Sequence, residues 1–173
     1  MSLDGFIATQ DGGYDWIPVD DAVDFGAYLA KIDTLLMGRG TYETAISAPE
    51  SRALLDSMAV YVVSTTLDPA AHADVTLIGP SDRPDVLAEV SALKEEQGKD
   101  IWLFGGGVLF RSLMDVGLVD RVEVAVVPRI LGNGIPLVPG LDRIATLELH
   151  SSEIFDSGIA LLKYDVGGAH EGG

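Results

Sequence analysis

Short apolar runs rich in β-forming residues alternate with helical patterns along most of this chain. Such alternation is typical of a mainly parallel sheet covered by helices, because each helix returns the chain to the same edge of the sheet. The pattern predicts strands over residues 3–8, 34–37, 60–64, 75–78, 101–104, 122–127, 147–154 and 159–166. Residues 155–158 have a turn composition, so the last two strands are predicted to form an antiparallel hairpin.

Four helical patterns lie between these strands, over residues 22–31, 41–46, 84–97 and 108–116. Asp20 or Asp21 is expected to precede the first as its cap, and Thr41 is expected to cap the second. Pro84 in the first turn and Gly98 after the last mark the ends of the third. These helices are expected to cover the sheet.

The chain has 173 residues, of which 47% are hydrophobic, so one domain able to bury roughly 70% of its unfolded surface is predicted. Its net charge of −16 with only 11 basic residues predicts a surface that repels nucleic acid and anionic membranes. No apolar stretch reaches the ~20 residues needed to span a bilayer, and we expect a cytoplasmic protein.

Cysteine is absent, which excludes disulfides, thiolate nucleophiles and Cys-ligated zinc. The three histidines, His72, His150 and His170, lie far apart in the sequence without ligand spacing. The sequence therefore predicts no metal site.

Three consecutive glycines, Gly105, Gly106 and Gly107, stand between the strand pattern 101–104 and the helical pattern 108–116. A strand that turns into a helix through residues without side chains brings backbone amides and the positive helix end to one point. A phosphate could bind there. A tight turn that merely packs a helix on a sheet is the alternative, and the G-x-G-x-x-G dinucleotide fingerprint is absent.

Two further loops follow predicted strands and carry side chains that bind anions. Gly38-Arg39-Gly40-Thr41 offers an arginine fork, and Ser64, Thr65 and Thr66 offer hydroxyls that suit a sugar phosphate. Because parallel strands end at the same edge of a sheet, these loops and the triple glycine together favour a ligand that carries several phosphates.

The first predicted strand is interrupted by Asp4 and Gly5, two residues that disfavour strands. Two interpretations remain open. The segment is either an edge strand with a bulge at Gly5, or a strand that places Asp4 beside a ligand.

In their order and spacing, these segments resemble the dihydrofolate-reductase-like family. The resemblance is carried by residues 2–8 (SLDGFIA), 37–43 (MGRGTYE), 62–64 (VVS), the triple glycine and residues 117–137. More narrowly, the chain is similar to the C-terminal reductase domain of the bacterial bifunctional riboflavin-biosynthesis deaminase-reductases, here without the zinc deaminase domain. The resemblance implies a three-layer α/β/α reductase domain over residues 1–166, with a mixed, mostly parallel sheet of about eight strands. Residues 167–173 would form a flexible Gly-rich tail.

The resemblance also implies NADPH as cofactor and hydride transfer as the reaction. By motif match the cofactor would contact Ala8 at the nicotinamide, Gly38, Arg39 and Thr41 at the phosphates, Ser64 and Thr65 at the adenosine ribose, and Gly105, Gly106, Gly107, Val108 and Leu109 at the pyrophosphate. The family's Gly-Gly turn is typically cis, so a cis Gly105-Gly106 bond is predicted. The basic residue that often follows the Val-Ser element is replaced here by threonine, which leaves Arg39 as the main cation for the 2′-phosphate.

For the substrate, the resemblance implies Asp4 as the first candidate for a catalytic or orienting acid. Asp21 is the second candidate, because folate reductases place a helix acid a few residues after a tryptophan, and Trp16 followed by Asp20 or Asp21 resembles that spacing. A helix cap is the alternative interpretation of Asp20 and Asp21. Arg129 and Lys31 are the candidates for contact with a substrate phosphate, and a solvated surface charge is the alternative interpretation of Arg129.

The resemblance thus predicts a reductase similar to 5-amino-6-(5-phosphoribosylamino)uracil reductase of riboflavin biosynthesis, acting on a pyrimidine-like or related small substrate. A dihydrofolate reductase and a nucleotide-binding protein without catalysis are the alternatives. The family also implies a homodimer.

Overall fold

The computed structural model describes residues 1–79, 85–140 and 144–167. In these ranges the elements are β1 (Phe6–Ala8), α1 (Phe25–Leu29), β2 (Ile32–Gly38), α2 (Arg39–Ser47), α3 (Pro49–Leu55), β3 (Ala59–Val63), β4 (Thr76–Ile78), α4 (Val86–Lys94), β5 (Asp100–Gly105), α5 (Gly107–Asp115), β6 (Arg121–Val126), β7 (Ile135–Pro136), β8 (Leu147–Ile154) and β9 (Ala160–Val166). They fall into two compact units. A parallel-sheet unit covers Phe25–Phe110, and a second unit combines Met1–Asp24 with Arg111–Gly173.

The parallel-sheet unit is built on a four-stranded parallel sheet in the order β4-β3-β2-β5. Strand β2 lies inside the sheet and is almost continuously buried, as expected for a parallel strand that is covered on both faces. Leu35 and Met37 of β2 and Val62 of β3 are completely buried. The core of this unit therefore lies around β2 and β3, which were both predicted from their apolar runs.

Helix α2 begins two residues earlier than predicted, at Arg39, with Gly38 in extended conformation as its N-cap. The predicted capping role of Thr41 is wrong, because Thr41 lies inside the first turn of the helix. Helix α3 was not predicted. Its signal is Pro49 at the first helical position, where the missing N–H of proline costs nothing.

Helix α4 is shorter than predicted, and the predicted first residue, Pro84, lies outside the described residues. The carboxylate of Asp85 caps the helix by accepting a hydrogen bond of 3.0 Å from the Ala88 N–H. Helix α1 covers only Phe25–Leu29, so neither Asp20 nor Asp21 caps it as predicted. The Asp20 carboxylate instead accepts a 2.9 Å hydrogen bond from the Ala22 N–H and closes a turn ahead of the helix.

The second unit contains an antiparallel sheet in the order β6-β9-β8 and a short antiparallel pair, β1 with β7. The predicted C-terminal hairpin is confirmed, with β8 over the predicted residues and Gly158 at φ +83° in the turn. Strand β7 was missed because two residues carry no periodicity. The glycine before it, Gly134, is required there, since an added Cβ would lie 2.3 Å from the Ala8 carbonyl oxygen.

The predicted single sheet of about eight mostly parallel strands is not what the described residues form. Four strands make the parallel sheet, while β6, β8 and β9 form a separate antiparallel sheet, in which their backbone groups hydrogen-bond to one another. The first strand is also shorter than predicted, because Gly5 at φ +87° turns the chain and the Ser2 N–H donates to the Phe6 carbonyl. Its pairing with β7 carries a register irregularity between Phe6 and Ala8. The α/β class is retained.

Among the residues that the structure describes, no helix is both long enough and apolar enough to cross a membrane.

Candidate functional site

The predicted anion-binding segments of the parallel-sheet unit lie at one edge of its sheet. Strands β2, β3 and β5 run in the same direction and end at Gly38, Val63 and Gly105. The start of α2 at Arg39, the loop that begins at Ser64 and the turn at Gly106 therefore follow neighbouring carboxyl ends, with β2 between the other two strands. This is the edge at which open α/β sheets bind their ligands.

The triple glycine joins β5 to α5 through a turn that only glycine adopts easily. Gly105 is the last strand residue, Gly106 has φ +102°, and Gly107 is the first helical residue. The Gly106 carbonyl accepts the Phe110 N–H at 2.9 Å, so Gly106 stands at the helix N-cap. The predicted cis bond between Gly105 and Gly106 is wrong: the bond is trans, and the positive φ of Gly106 makes the turn instead.

Thr41 packs against the triple glycine. A Cβ on Gly105 would lie 2.9 Å from the Thr41 Cγ2 and 3.1 Å from its Oγ1. A Cβ on Gly106 would lie 3.7 Å from the Gly38 backbone nitrogen. The first turn of α2 and the glycine turn after β5 thus approach one another as closely as backbone and a threonine side chain allow.

Arg39 connects the start of α2 to the loop after β3. Its Nη1 donates a 2.9 Å hydrogen bond to the Thr66 hydroxyl, and its Nε lies 3.7 Å from the Glu43 carboxylate. The guanidinium is still half exposed, so part of it faces solvent at this edge. An exposed pair of this kind contributes at most about 1 kcal/mol, which leaves Arg39 free to exchange partners with an anionic ligand.

Ser64 is buried, whereas Thr65 beside it is exposed. The Ser64 Oγ accepts hydrogen bonds from the Thr66 N–H at 3.2 Å and the Leu67 N–H at 3.1 Å. Because a hydroxyl accepts two hydrogen bonds and donates one, the Ser64 proton is the part left for another acceptor. The predicted ribose contacts of Ser64 and Thr65 stay predictions.

Val108 and Leu109 occupy the first turn of α5, but their side chains differ in exposure. Val108 is 71% exposed, while Leu109 is buried. If these residues contact a phosphate as predicted, Leu109 contributes backbone and not side chain. The positive end of the helix dipole lies at the same turn.

Tyr42 and His72 form a pair that the sequence did not reveal. The Tyr42 hydroxyl lies 3.1 Å from the His72 Nδ1, and the two rings meet edge to face at 5.5 Å. Burial, with the nearby Asp74 as a smaller cause, raises the pKa of Tyr42. Because the two residues are 30 positions apart, no local pattern could have predicted this contact, which fixes α2 to the loop after β3.

In the second unit, the Asp4 side chain stabilises the loop at Leu131 and Gly132 by hydrogen bonds. Its carboxylate accepts hydrogen bonds from the Gly132 N–H at 2.7 Å and the Leu131 N–H at 3.1 Å. Hydrogen bonds from the Ser2 side chain, and then from these backbone amides, lower the pKa of Asp4. Asp4 is therefore a carboxylate near neutral pH, suited to accept hydrogen bonds and not to donate a proton. Its catalytic role stays a prediction.

Three other predicted substrate residues also belong to the second unit. Asp21 is exposed, and the acid with close partners is its neighbour Asp20, which accepts from the Ser157 hydroxyl. This contact is the main cause that lowers the pKa of Asp20. Arg129 is exposed, although its backbone is held by the Leu3 N–H. The Trp16 Nε1 is buried and has no hydrogen-bond acceptor within the described ranges.

Ala8, predicted to lie beside the nicotinamide, is the last residue of β1 in the second unit. It pairs with Ile135 of β7. Its backbone is thus fixed by a strand.

Comparison with known proteins decides the family. Residues 1–161 match the RibD C-terminal domain. The chain belongs to this family. The chain is also similar to YyaP of Bacillus subtilis (strain 168), to which it is 32% identical over 95% of this chain and 90% of that protein. YyaP is itself described as uncharacterized.

Solved structures of the RibD type share this fold. A putative riboflavin biosynthesis protein from Shewanella sp. PV-4 has a TM-score of 0.74 at 26% identity, over 96% of this chain and 94% of that one. A deaminase and 5-amino-6-(5-phosphoribosylamino)uracil reductase from Thermotoga maritima has a TM-score of 0.66 at 17% identity. The matched region includes 96% of this chain and 54% of that larger protein. The RibD C-terminal domain assignment indicates oxidoreductase activity.

Proposed function

We propose that this chain is an NADPH-dependent reductase that transfers hydride to a pyrimidine-like or related small substrate. The observation that carries the proposal is the convergence of the Gly38, Ser64 and Gly105 loops at one edge of the parallel sheet. A dinucleotide presents two phosphates and two riboses in a row, and such an edge meets them with amides, hydroxyls and one cation.

The glycines at this edge fit a phosphate cradle. A Cβ on Gly38 or on Gly40 would meet no atom within 4 Å, so these glycines leave open space beside the backbone. Gly105 and Gly106 are different, because Thr41 and a positive φ exclude side chains there. Both kinds of glycine keep backbone amides accessible to a phosphate.

Arg39, Thr41, Ser64 and Thr65 would hold the cofactor together with the triple glycine. When bound, NADPH supplies a hydride. Arg39 would exchange its Glu43 contact for the 2′-phosphate while keeping the Thr66 hydroxyl as a second support. Ser64 would donate its free hydroxyl proton to a ribose oxygen.

The second unit carries the residues that we assign to the substrate. The Asp4 carboxylate would keep the loop at Leu131 and Gly132 in place, and the Trp16 indole N–H would donate to a substrate acceptor. Arg129 would contribute a positive charge. We also propose a homodimer, which light scattering on the purified chain would test by giving twice the monomer mass.

Absorbance and calorimetry together test the proposal. NADPH is titrated first, and its oxidation is then followed with 5-amino-6-(5-phosphoribosylamino)uracil, with dihydrofolate and with neutral heteroaromatic rings. Oxidation of NADPH by the pyrimidine or by a neutral heteroaromatic ring supports the proposed reductase. Oxidation of NADPH by dihydrofolate alone identifies a folate reductase. Binding without oxidation by any acceptor indicates a nucleotide-binding protein, and absence of binding contradicts the proposal.

A further inference from the structure

Two side chains of helix α2 hold the stretch of chain that joins β3 to β4. We refer to this stretch, residues 64–75, as the β3–β4 segment. The Arg39 Nη1 donates to the Thr66 hydroxyl at 2.9 Å, and the Tyr42 hydroxyl lies 3.1 Å from the His72 Nδ1. Arg39 and Tyr42 are three positions apart, so they lie on the same side of the helix. One side of α2 thus contacts the β3–β4 segment at two points.

The β3–β4 segment buries few of its own residues. Within 65–74, every residue is exposed except Leu67 and His72, which are partly buried. Leu67 packs against the hydrophobic core of the parallel-sheet unit. Other hydrogen bonds, such as that from the Ala71 N–H to the Asp68 carbonyl at 3.1 Å, shape the segment without joining it to α2. Because a segment with few buried contacts opens easily, its position depends on the residues that anchor it.

The two contacts with α2 differ in burial. The hydrogen bond between Arg39 and Thr66 is exposed, so water can replace either partner. Tyr42 is only 2% exposed, and its ring also meets the His72 ring edge to face at 5.5 Å. A buried hydroxyl that loses its partner keeps the full cost of its lost hydration. The contact between Tyr42 and His72 is therefore the stronger of the two anchors.

Tyr42 takes part in this contact as an uncharged hydroxyl. Burial raises its pKa, and the nearby Asp74 adds a smaller effect in the same direction. The hydroxyl therefore keeps its proton near neutral pH and can donate it to an unprotonated ring nitrogen of His72. A phenylalanine at this position would keep the ring contact, change no charge and remove only the hydrogen bond.

We propose that Tyr42 and His72 are positioning residues that determine the preference for NADPH over NADH. By holding the β3–β4 segment on α2, they keep Thr66 where its hydroxyl orients the Arg39 guanidinium. This role rests on the proposed function, in which Arg39 binds the 2′-phosphate of NADPH. Because NADH lacks that phosphate, loss of the pair would weaken NADPH binding more than NADH binding.

Tyr42→Phe tests the role by calorimetric titration of the full chain with each cofactor. The Kd for NADPH should rise about three- to tenfold, while the Kd for NADH should change much less. Tyr61→Phe is the matched control and should change neither Kd, because Tyr61 is a partly buried tyrosine on β3 whose pKa is likewise raised mainly by burial. Wild-type affinities in Tyr42→Phe, or an equal loss for both cofactors, would overturn the proposal.

Two substitutions of His72 test the hydrogen bond from the other side. Asparagine carries an amide at the branch where histidine carries Nδ1, so it can still bond to the Tyr42 hydroxyl, whereas alanine cannot. His72→Ala should lower the ratio of the NADH Kd to the NADPH Kd about three- to tenfold, and His72→Asn should restore most of it. Equal ratios in the two variants would overturn the role of the hydrogen bond. This comparison does not require Tyr42→Phe to fold.

Amide hydrogen exchange without cofactor measures the position of the β3–β4 segment directly. The Thr66 and Leu67 N–H groups donate to the Ser64 Oγ, and they should exchange about threefold faster or more in Tyr42→Phe than in wild type. Unchanged exchange at both amides would overturn the anchoring role of the pair.

The outcomes separate this inference from the proposed function. If wild type binds NADPH and Tyr42→Phe keeps the wild-type ratio of the two Kd values, this inference fails and the reductase proposal stands. If wild type binds no NADPH while Tyr42→Phe accelerates exchange, the pair anchors the segment and the reductase proposal fails.

Discussion

The side chain of Thr41 occupies the space that any side chain on Gly105 would need. The Thr41 Cγ2 lies 2.9 Å from the position of such a Cβ, a separation that real Cβ atoms do not tolerate. Helix α2 and the end of β5 therefore depend on each other for the shape of the predicted cradle. This contact joins two motifs that are 64 residues apart, counted from 41 to 105.

Gly105→Ala is expected to destabilise the protein by about 1–3 kcal/mol, because the new methyl group collides with Thr41. Adding Thr41→Ala to this variant should restore most of the loss, since it removes both colliding atoms. Gly40→Ala is the control: its Cβ meets open space inside α2, and a gain of roughly 0.5–1 kcal/mol is expected. Urea unfolding of wild type, Gly105→Ala, Thr41→Ala and the double variant measures the coupling, and an additive double variant would contradict the contact.

Replacing Asp4 with Asn should lower turnover by about tenfold while leaving NADPH affinity nearly unchanged, because Asp4 holds the loop at Leu131 and Gly132. An amide retains one acceptor oxygen but not two charged ones. Asp11→Asn is the matched control, since Asp11 likewise holds its own loop by accepting from Thr9 and Gly13. Steady-state kinetics that show the same turnover in Asp4→Asn and wild type would remove Asp4 from the mechanism.

Arg39→Gln is expected to weaken NADPH binding by about tenfold and NADH binding much less, because only NADPH carries the 2′-phosphate assigned to Arg39. Arg52→Gln, which removes an exposed charge from α3, serves as the control for net charge. Dissociation constants for both cofactors measure the difference. An equal loss for NADPH and NADH would show that Arg39 does not read the 2′-phosphate.

Asp33 gives the parallel-sheet unit a pH-dependent contact. Its carboxylate accepts the Lys99 N–H at 2.7 Å and the Thr34 hydroxyl at 2.8 Å, and these bonds lower its pKa. A lowered folded-state pKa contributes stability above the unfolded value of about 3.9, and this contribution is lost as the pH falls through the folded value. Asp33→Asn should therefore be less stable than wild type near pH 7. The difference should shrink as the pH is lowered below about 4, and a gap that stays constant with pH would contradict this assignment.

The sequence predicted those parts of the fold that depend on neighbouring residues in the chain. Continuous apolar runs gave β2 and β3, and the turn composition after Ile154 gave the hairpin of β8 and β9. It failed where the signal was short or depended on distant contacts. Strand β7 has two residues, and α3 is announced only by Pro49.

The candidate site likewise combines features that local sequence predicted with contacts that it could not predict. That the Gly38, Ser64 and Gly105 loops share an edge followed from strand direction alone, which hydrophobic patterning supplies. The Arg39 contact with Thr66 and the Tyr42 contact with His72 join residues about 30 positions apart, so nothing local encodes them. The geometry of the glycine turn depended on a choice between a cis bond and a positive φ, and the composition of the turn permits both.

Calorimetric titration of the purified chain with NADPH is the most direct measurement of the proposed cofactor site. Saturable one-to-one binding with a Kd of about 1–100 µM is expected. Gly106→Ala should weaken it by about tenfold or more, because Gly106 has φ +102° at the cradle. Gly117→Ala, also at a positive φ of +72° but in the second unit, should leave it unchanged. No heat of binding at millimolar NADPH, with the chain shown to be folded, would contradict the assignment of this sheet edge to a nicotinamide cofactor.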